Sequence, residues 1–141
     1  MLVSTKGRYA LRVMIDLAEH VGEGYLPLRD IARRQDISEK YLVSILKVLV
    51  KSRLIEGLRG KGGGYRLTRD PADYTVGDVL RLTEGSLAPV SGIDDPASFR
   101  VEESRCHEMW TGLARLIDDY LDKYTIADLS VTTLAGNDYV I

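Results

Sequence analysis

The chain has 141 residues, 45% of them apolar, and a net charge of −2. That fits one domain with an appended oligomerisation element and a core that needs no staples. No apolar run approaches the roughly 20 residues of a bilayer span, and residues 1–6 lack the apolar stretch of a secretory leader. The one cysteine excludes an internal disulfide, so the expectation is a cytoplasmic protein with no membrane association. Charge is spread unevenly: residues 1–70 hold 14 Lys/Arg against 8 Asp/Glu, and residues 71–141 hold 5 against 13. A basic half joined to an acidic half suggests one module facing a polyanion and another facing elsewhere; a chance dipole is the plain alternative.

Residues 5–21 read as a helix that Thr5 can cap, with Tyr9, Ala10, Val13, Met14, Leu17 and Val21 at three- and four-residue steps. Gly22-Glu23-Gly24 ends it, and Tyr25-Leu26-Pro27 reads as a connector. Leu28, Ile31 and Ala32 mark a short second helix that stops near Gln35-Asp36. Ser38 then caps a third, with Tyr41, Leu42, Ile45, Leu46, Leu49 and Val50 on its buried face. The second and third helices form a helix-turn-helix candidate. After Ser52 the period changes, and Leu54 to Thr68 read as a β-hairpin with a glycine-rich, basic tip at Arg59-Gly60-Lys61-Gly62-Gly63-Gly64. Thr75 caps a helix through Leu82 that Gly85 closes. Residues 86–100 read as loop. One long helix is expected from Val101 to Tyr124, with Met109, Trp110, Leu113, Leu116, Ile117, Tyr120, Leu121 and Tyr124 near a heptad seam. Thr125 caps a last short helix, and residues 135–141 form a tail.

Two segments carry candidate chemistry. The glycines of the hairpin tip let backbone approach another surface, and Arg59, Lys61 and Arg66 place cations on it. A phosphate-loop reading fails, because the pattern's first glycine falls at Ile55 and Lys61 is followed by Gly62. A flexible surface hairpin is the plain alternative. In a helix-turn-helix the start of the second helix enters the major groove. Here that start offers Ser38, Lys40, Tyr41 and Ser44, beside Glu39 and Val43. Lys40 and Ser38 can donate to phosphate or base, whereas Glu39 accepts from cytosine or repels phosphate. Ser4, Thr5, Lys6, Arg8 and Tyr9 sit where a helix N-terminus can hold a phosphate, with plain capping the alternative for Ser4 and Thr5.

Four runs, in order, carry a family resemblance: Ser4-Thr5-Lys6-Gly7-Arg8-Tyr9-Ala10, Ile37-Ser38-Glu39-Lys40-Tyr41-Leu42, Arg59-Gly60-Lys61-Gly62-Gly63-Gly64-Tyr65 and Leu87-Ala88-Pro89-Val90-Ser91. Together they resemble the Rrf-two family of bacterial winged-helix regulators, which includes iron–sulfur-cluster, nitric-oxide-sensing and cysteine-metabolism regulators. The resemblance runs from residue 2 to about residue 130. It implies a mainly α fold with a small β-hairpin wing and homodimers that cross long C-terminal helices. It also implies roughly palindromic double-stranded DNA as partner, with Ser38, Lys40, Tyr41 and Ser44 in the major groove and Arg59 and Lys61 of the wing in the minor groove. Cluster-binding members carry three cysteines that align at about Gly92, Ser98 and Ser104, so this chain departs from them. Cys106 is displaced by two residues, and His107 lies where some members place a histidine ligand. One thiolate per chain is too few for an iron–sulfur cluster, and nearby carboxylates such as Asp94, Glu102 and Glu103 do not replace thiolates, so no cofactor is expected. Cys106-His107 reads as a plain surface helix segment, with a redox-sensing thiol or a cluster shared across the dimer as the alternatives.

The expected division is a DNA-binding winged helix-turn-helix over 1–85, a sensor-type loop over 86–100, a dimerisation helix over 101–124 and a helix with tail over 125–141. The leading reading is a homodimeric DNA-binding transcriptional regulator, a repressor by family resemblance. The alternatives are a redox- or cluster-responsive sensor answering a small-molecule or protein effector, and a module that docks a metabolic enzyme. No nucleophile–base pair, carboxylate dyad or cofactor loop supports an enzyme.

Overall fold

Ser4 sets the start of the first helix. In the computed structural model, which describes residues 2–93, 95, 97 and 100–130, its backbone is extended and its hydroxyl accepts from the Gly7 amide at 3.0 Å. Ser4, rather than Thr5, is therefore the cap of α1 (Thr5–Glu19). The second helix, α2 (Leu28–Gln35), ends at Asp36, whose left-handed backbone (φ 53°) turns its N–H onto the Ala32 and Arg33 carbonyls. Ser38 then opens α3 (Glu39–Lys51) as expected, its hydroxyl accepting from the Tyr41 amide at 3.1 Å.

The wing is β1 (Ile55–Leu58) paired antiparallel with β2 (Gly64–Leu67), in the register Ile55↔Leu67 to Leu58↔Gly64. Leu26, expected in a connector, adds a third rung. Its N–H donates to the Tyr65 carbonyl at 2.8 Å, and the Tyr65 N–H returns the bond at 2.9 Å. A single residue shows no alternation, so this rung leaves no periodic signal. It does explain Gly64: with φ at +147°, a Cβ there would run into the Leu26 carbonyl.

A 3-10 turn (Pro71–Asp73) leads to Tyr74, which is fully buried. Its hydroxyl donates to the Leu54 carbonyl at 2.8 Å and accepts from the amides of Thr68 (3.0 Å) and Arg69 (2.9 Å). One side chain thus pins both ends of the hairpin to the core. The helices α4 (Val76–Glu84) and α7 (Ile126–Leu129) each begin with a capping box, Thr75 with Asp78 and Thr125 with Asp128. Their starts are tied together, since Val76 N–H donates to Tyr124 and Ile126 N–H to Tyr74, each at 2.9 Å.

One core gathers Ala10, Val13, Met14 and Leu17 of α1, Ile31 of α2 and Leu42, Ile45, Leu46 and Leu49 of α3, with Tyr74 and Ile126. Two residues expected on core faces lie outside it. Val21 is 60% exposed because α1 has already ended at Glu19, and Val50 is 39% exposed at the edge of the α3 stripe.

The single helix expected over 101–124 is instead two, α5 (Val101–Ser104) and α6 (His107–Lys123). The Ser104 hydroxyl donates back to the Val101 carbonyl at 2.6 Å, and the Cys106 N–H donates to the Glu103 carbonyl at 2.9 Å. Both tighten the turn and end the first helix. Of the 17 residues of α6, none is buried. Ile117, Leu121 and Tyr124 lean on Val76, Leu80 and Leu87, and Arg81 of α4 holds Asp118 (3.1 Å) and Asp122 (2.8 Å). Trp110 is half-buried, and Met109, Leu113, Leu116 and Tyr120 face outward. Asp94, Ser98 and residues 131–141 lie outside the described residues.

Candidate nucleic-acid interface

The helix-turn-helix is held by one buried charge. Asp16 of α1 is 2% exposed, and it accepts from Arg34 Nε and Arg34 Nη2, both at 2.8 Å, and from Gln35 Nε2 at 3.1 Å. A carboxylate buried this deeply is stable only when paired and hydrogen-bonded, and the bidentate arginine fork satisfies both needs. Arg12, one turn earlier on α1, donates to the Gln35 side chain at 3.2 Å and to the Gln35 carbonyl. These bonds fix the end of α2, and so the turn at Asp36–Ser38 from which α3 starts.

At the start of α3, Ser38 and Lys40 are exposed and Tyr41 is half-buried. The Tyr41 ring meets Tyr9 of α1 edge to face, with centroids 5.9 Å apart. Arg12 lies 4.7 Å from the centre of the Tyr9 ring. This contact joins the start of α3 to α1, whose first turn carries exposed Arg8 and half-exposed Lys6. Two hydroxyls among the candidates are committed locally. Ser38 caps its own helix, and Ser44 donates to the Tyr41 carbonyl at 2.6 Å.

Ser4 is committed more firmly. Its N–H and hydroxyl both donate to Glu84 at the end of α4, at 2.6 and 2.7 Å. Partial burial alone would push the Glu84 carboxyl up, but the two Ser4 donors, with a smaller contribution from Thr83, outweigh it and hold it below the usual carboxylate range. The approach is so close that a Cβ at Gly7 would stand 2.7 Å from Glu84 Oε2. The N-terminus of α1 therefore already faces a carboxylate of its own chain.

On the wing, Arg59 and Lys61 are exposed at the tip, where Gly60 takes a left-handed backbone (φ +91°). Arg66 has another role. It bonds Glu56 across the hairpin at 2.6 Å and stacks 4.2 Å from the Tyr25 ring, away from the tip. Among the described residues, Arg8, Lys40, Lys47, Lys51, Arg59 and Lys61 make no ion pair, whereas Arg33, Arg34, Arg66 and Arg81 do. Lys47 and Lys51 are not among the residues singled out from the sequence, although Lys40, Ser44, Lys47 and Lys51 fall at helical steps of four, three and four. That polar stripe lies beside the apolar one and is readable from the same period.

Cys106 is exposed at the junction of α5 and α6, and His107 Nε2 lies 3.4 Å from the Thr111 hydroxyl. Among the described residues, no three His, Cys, Asp or Glu side chains converge as a metal site would need, and no helix is long and apolar enough to cross a membrane.

A sequence profile of the Rrf2 family, described as iron-dependent transcriptional regulators, matches residues 3–132. The chain is 38% identical over 133 residues to the HTH-type transcriptional regulator CymR of Bacillus subtilis, covering 94% of this chain and 92% of that one. It is 35% identical over 129 residues to the HTH-type transcriptional regulator IscR of Serratia proteamaculans, covering 92% of this chain and 79% of that one. Among solved structures, CymR, the global cysteine regulator of B. subtilis, aligns with a TM-score of 0.80 at 36% identity, covering 94% of this chain and 98% of that one. IscR of T. potens aligns with a TM-score of 0.71 at 41% identity, covering 92% and 85%. The donor set here does not fit an iron–sulfur cluster. The whole chain has one cysteine, the Ser104 hydroxyl is turned back onto its own helix, and such clusters take four protein ligands that are mostly thiolates.

Proposed function

The chain belongs to the Rrf2 family of DNA-binding transcriptional regulators, a non-enzymatic role, and from that premise we propose that it acts in the cytoplasm as a homodimeric repressor on a near-palindromic operator. The carrying observation is a group of exposed cations on two neighbouring projections, the recognition helix and the wing. Lys40 at the start of α3, Arg59 and Lys61 on the wing and Arg8 on α1 stand exposed without carboxylate partners among the described residues. Free cations on a recognition helix and a hairpin tip are what a polyanion with two grooves requires. Lys40 and Ser38 serve the major groove, with Tyr41 and Ser44 behind them, while Arg59 and Lys61 serve the minor groove. Lys6 and Arg8 take flanking phosphate, and Ser4 holds α1 in place through Glu84.

The dimer reading rests on α6. On its outward face Leu116 and Tyr120 are 68% and 59% exposed, and they join Val3, Ile117 and Leu121 around an apolar groove of about 620 Å³. A second copy covering that face buries it symmetrically and spaces two recognition helices for palindromic half-sites. With no fitting cluster, regulation would run through Cys106 oxidation, a small molecule near residues 87–110 or a partner protein at the acidic half rather than through iron and sulfide. The deciding experiment is a gel-shift selection from random DNA, followed by salt titration of wild type and Arg59→Ala. The variant is expected to bind more weakly with a shallower salt slope. Unchanged affinity and slope would remove the wing from the interface.

A further inference from the structure

A helix in the major groove and a hairpin in the adjacent minor groove must straddle the sugar–phosphate strand that separates the two grooves. The cleft between α3 and the wing is therefore as much a part of recognition as the two projections. In this chain it is an open groove of about 680 Å³. Its lining includes three cations, Lys47 and Lys51 from the second half of α3 and Arg59 from the hairpin, and no carboxylate. Its apolar surface includes Val50, Leu58 and Tyr65. Val50 and Leu58 are 39% and 49% exposed, so both can meet a ligand lying in the groove.

We infer that this groove seats one sugar–phosphate strand, with Lys47 and Lys51 on successive phosphates and with Val50 and Leu58 against the carbon face of the deoxyribose. The inference rests on the DNA-binding reading and adds a site to it. Three observations carry it. The groove is continuous with the recognition helix at one wall and with the wing at the other. Its charge is of one sign. Lys47 and Lys51 stand one turn apart, about 6 Å along the helix axis, so both ammoniums reach along one strand. Neither lysine makes an ion pair among the described residues, so neither must be released before binding. A strand with anionic oxygens and apolar sugar carbons matches a groove lined by both cations and exposed aliphatic side chains. Contacts of this kind fix register and orientation without reading sequence.

The test uses full-length protein and a DNA fragment enriched from a random pool, with the Lys47→Gln/Lys51→Gln double variant and Leu58→Ser beside wild type. For the double variant the slope of log affinity against log salt is expected to shrink by about 1.8, two phosphate contacts at about 0.9 each, with a similar loss on every sequence. Leu58→Ser is expected to lose affinity at an unchanged slope, because it removes apolar contact and no charge. A methylphosphonate placed singly along the strand between the major- and minor-groove contacts should weaken wild type and leave the double variant indifferent. A double variant that keeps wild-type affinity and slope, while Arg59→Ala loses both, overturns the groove assignment and leaves the DNA reading standing. Wild type that enriches no sequence overturns both. All variants replace exposed side chains, and an unchanged far-ultraviolet spectrum separates a binding loss from a folding loss.

Discussion

Helices α3 and α6 carry similar amphipathic patterns and end in opposite surroundings. Leu42, Ile45, Leu46 and Leu49 of α3 are buried within the chain, at 1% exposure or less. On α6 no residue is buried, and Met109, Leu113, Leu116 and Tyr120 remain outside. The difference is one of geometry rather than composition. Around α3 stand α1, α2 and the hairpin, which together close over its apolar stripe and leave its polar stripe, Lys40 to Lys51, free for a ligand. Against α6 stands mainly α4, against which Ile117, Leu121 and Tyr124 pack and whose Arg81 holds Asp118 and Asp122. One apolar stripe is used up by folding, and the other is left exposed, as the proposed dimer requires.

The largest effect that would break this comparison is expected in α3. Ile45 is fully buried in the main core, so Ile45→Ala should cost about 2–5 kcal/mol, measured as a lower denaturant midpoint at constant slope. Lys47→Gln, two positions along on the same helix, should leave that midpoint nearly unchanged. A midpoint equally insensitive to both would mean that α3 is not the core helix described here.

The second effect, on α6, is expected in assembly rather than in folding. Leu116 is 68% exposed, so Leu116→Asp places a charge where one chain alone has room for it. The variant should keep its secondary structure and run as a monomer in light scattering at concentrations where wild type runs as a dimer, with operator affinity falling as the two half-sites uncouple. Wild type already monomeric at micromolar concentration refutes the dimer; a variant that unfolds refutes the claim that this face is spare.

Most of this architecture is legible in the sequence because it rests on local signals. Ser38, Thr75 and Thr125 mark helix starts by capping chemistry, and the change of period after Ser52 marks the hairpin. What escapes depends on partners distant in sequence. Leu26 becomes a strand residue only because Tyr65 pairs with it, and Tyr74 becomes the pin of the hairpin only through Leu54, Thr68 and Arg69. The α5–α6 break is hidden for a different reason. The heptad spacing is set by side chains, whereas the break is made by Ser104 competing for a backbone carbonyl. At the interface, Lys40, Arg59 and Lys61 are readable as cations. Arg66 looks equivalent, and only the cross-strand position of Glu56 shows that it is neutralised. Ser4 stands out in the first-turn motif, but its partner Glu84 lies 80 residues away.

That Ser4–Glu84 link gives the smallest expected effect, and it joins the two regions compared. Glu84 ends the helix on which α6 rests, and it holds the first turn of the helix that packs against the start of α3. Its carboxyl is held below the usual range when folded. A depressed carboxylate contributes stability that is present above its unfolded value of about 4.3 and is lost as pH falls through the lower folded value. Glu84→Gln keeps the shape and one acceptor but loses the charge. Its stability should therefore fall below that of wild type by about 1 kcal/mol at neutral pH, and the two proteins should converge as the medium becomes acidic. Melting temperatures of both, taken from pH 7 down to pH 3, check this. A gap that stays constant across that range would show that the substitution perturbs packing alone and that the carboxylate charge does not hold α1 to α4. A gap that closes in acid, accompanied by weaker operator binding at neutral pH, would show the same charge setting the orientation of the DNA-binding face from the helix beneath α6.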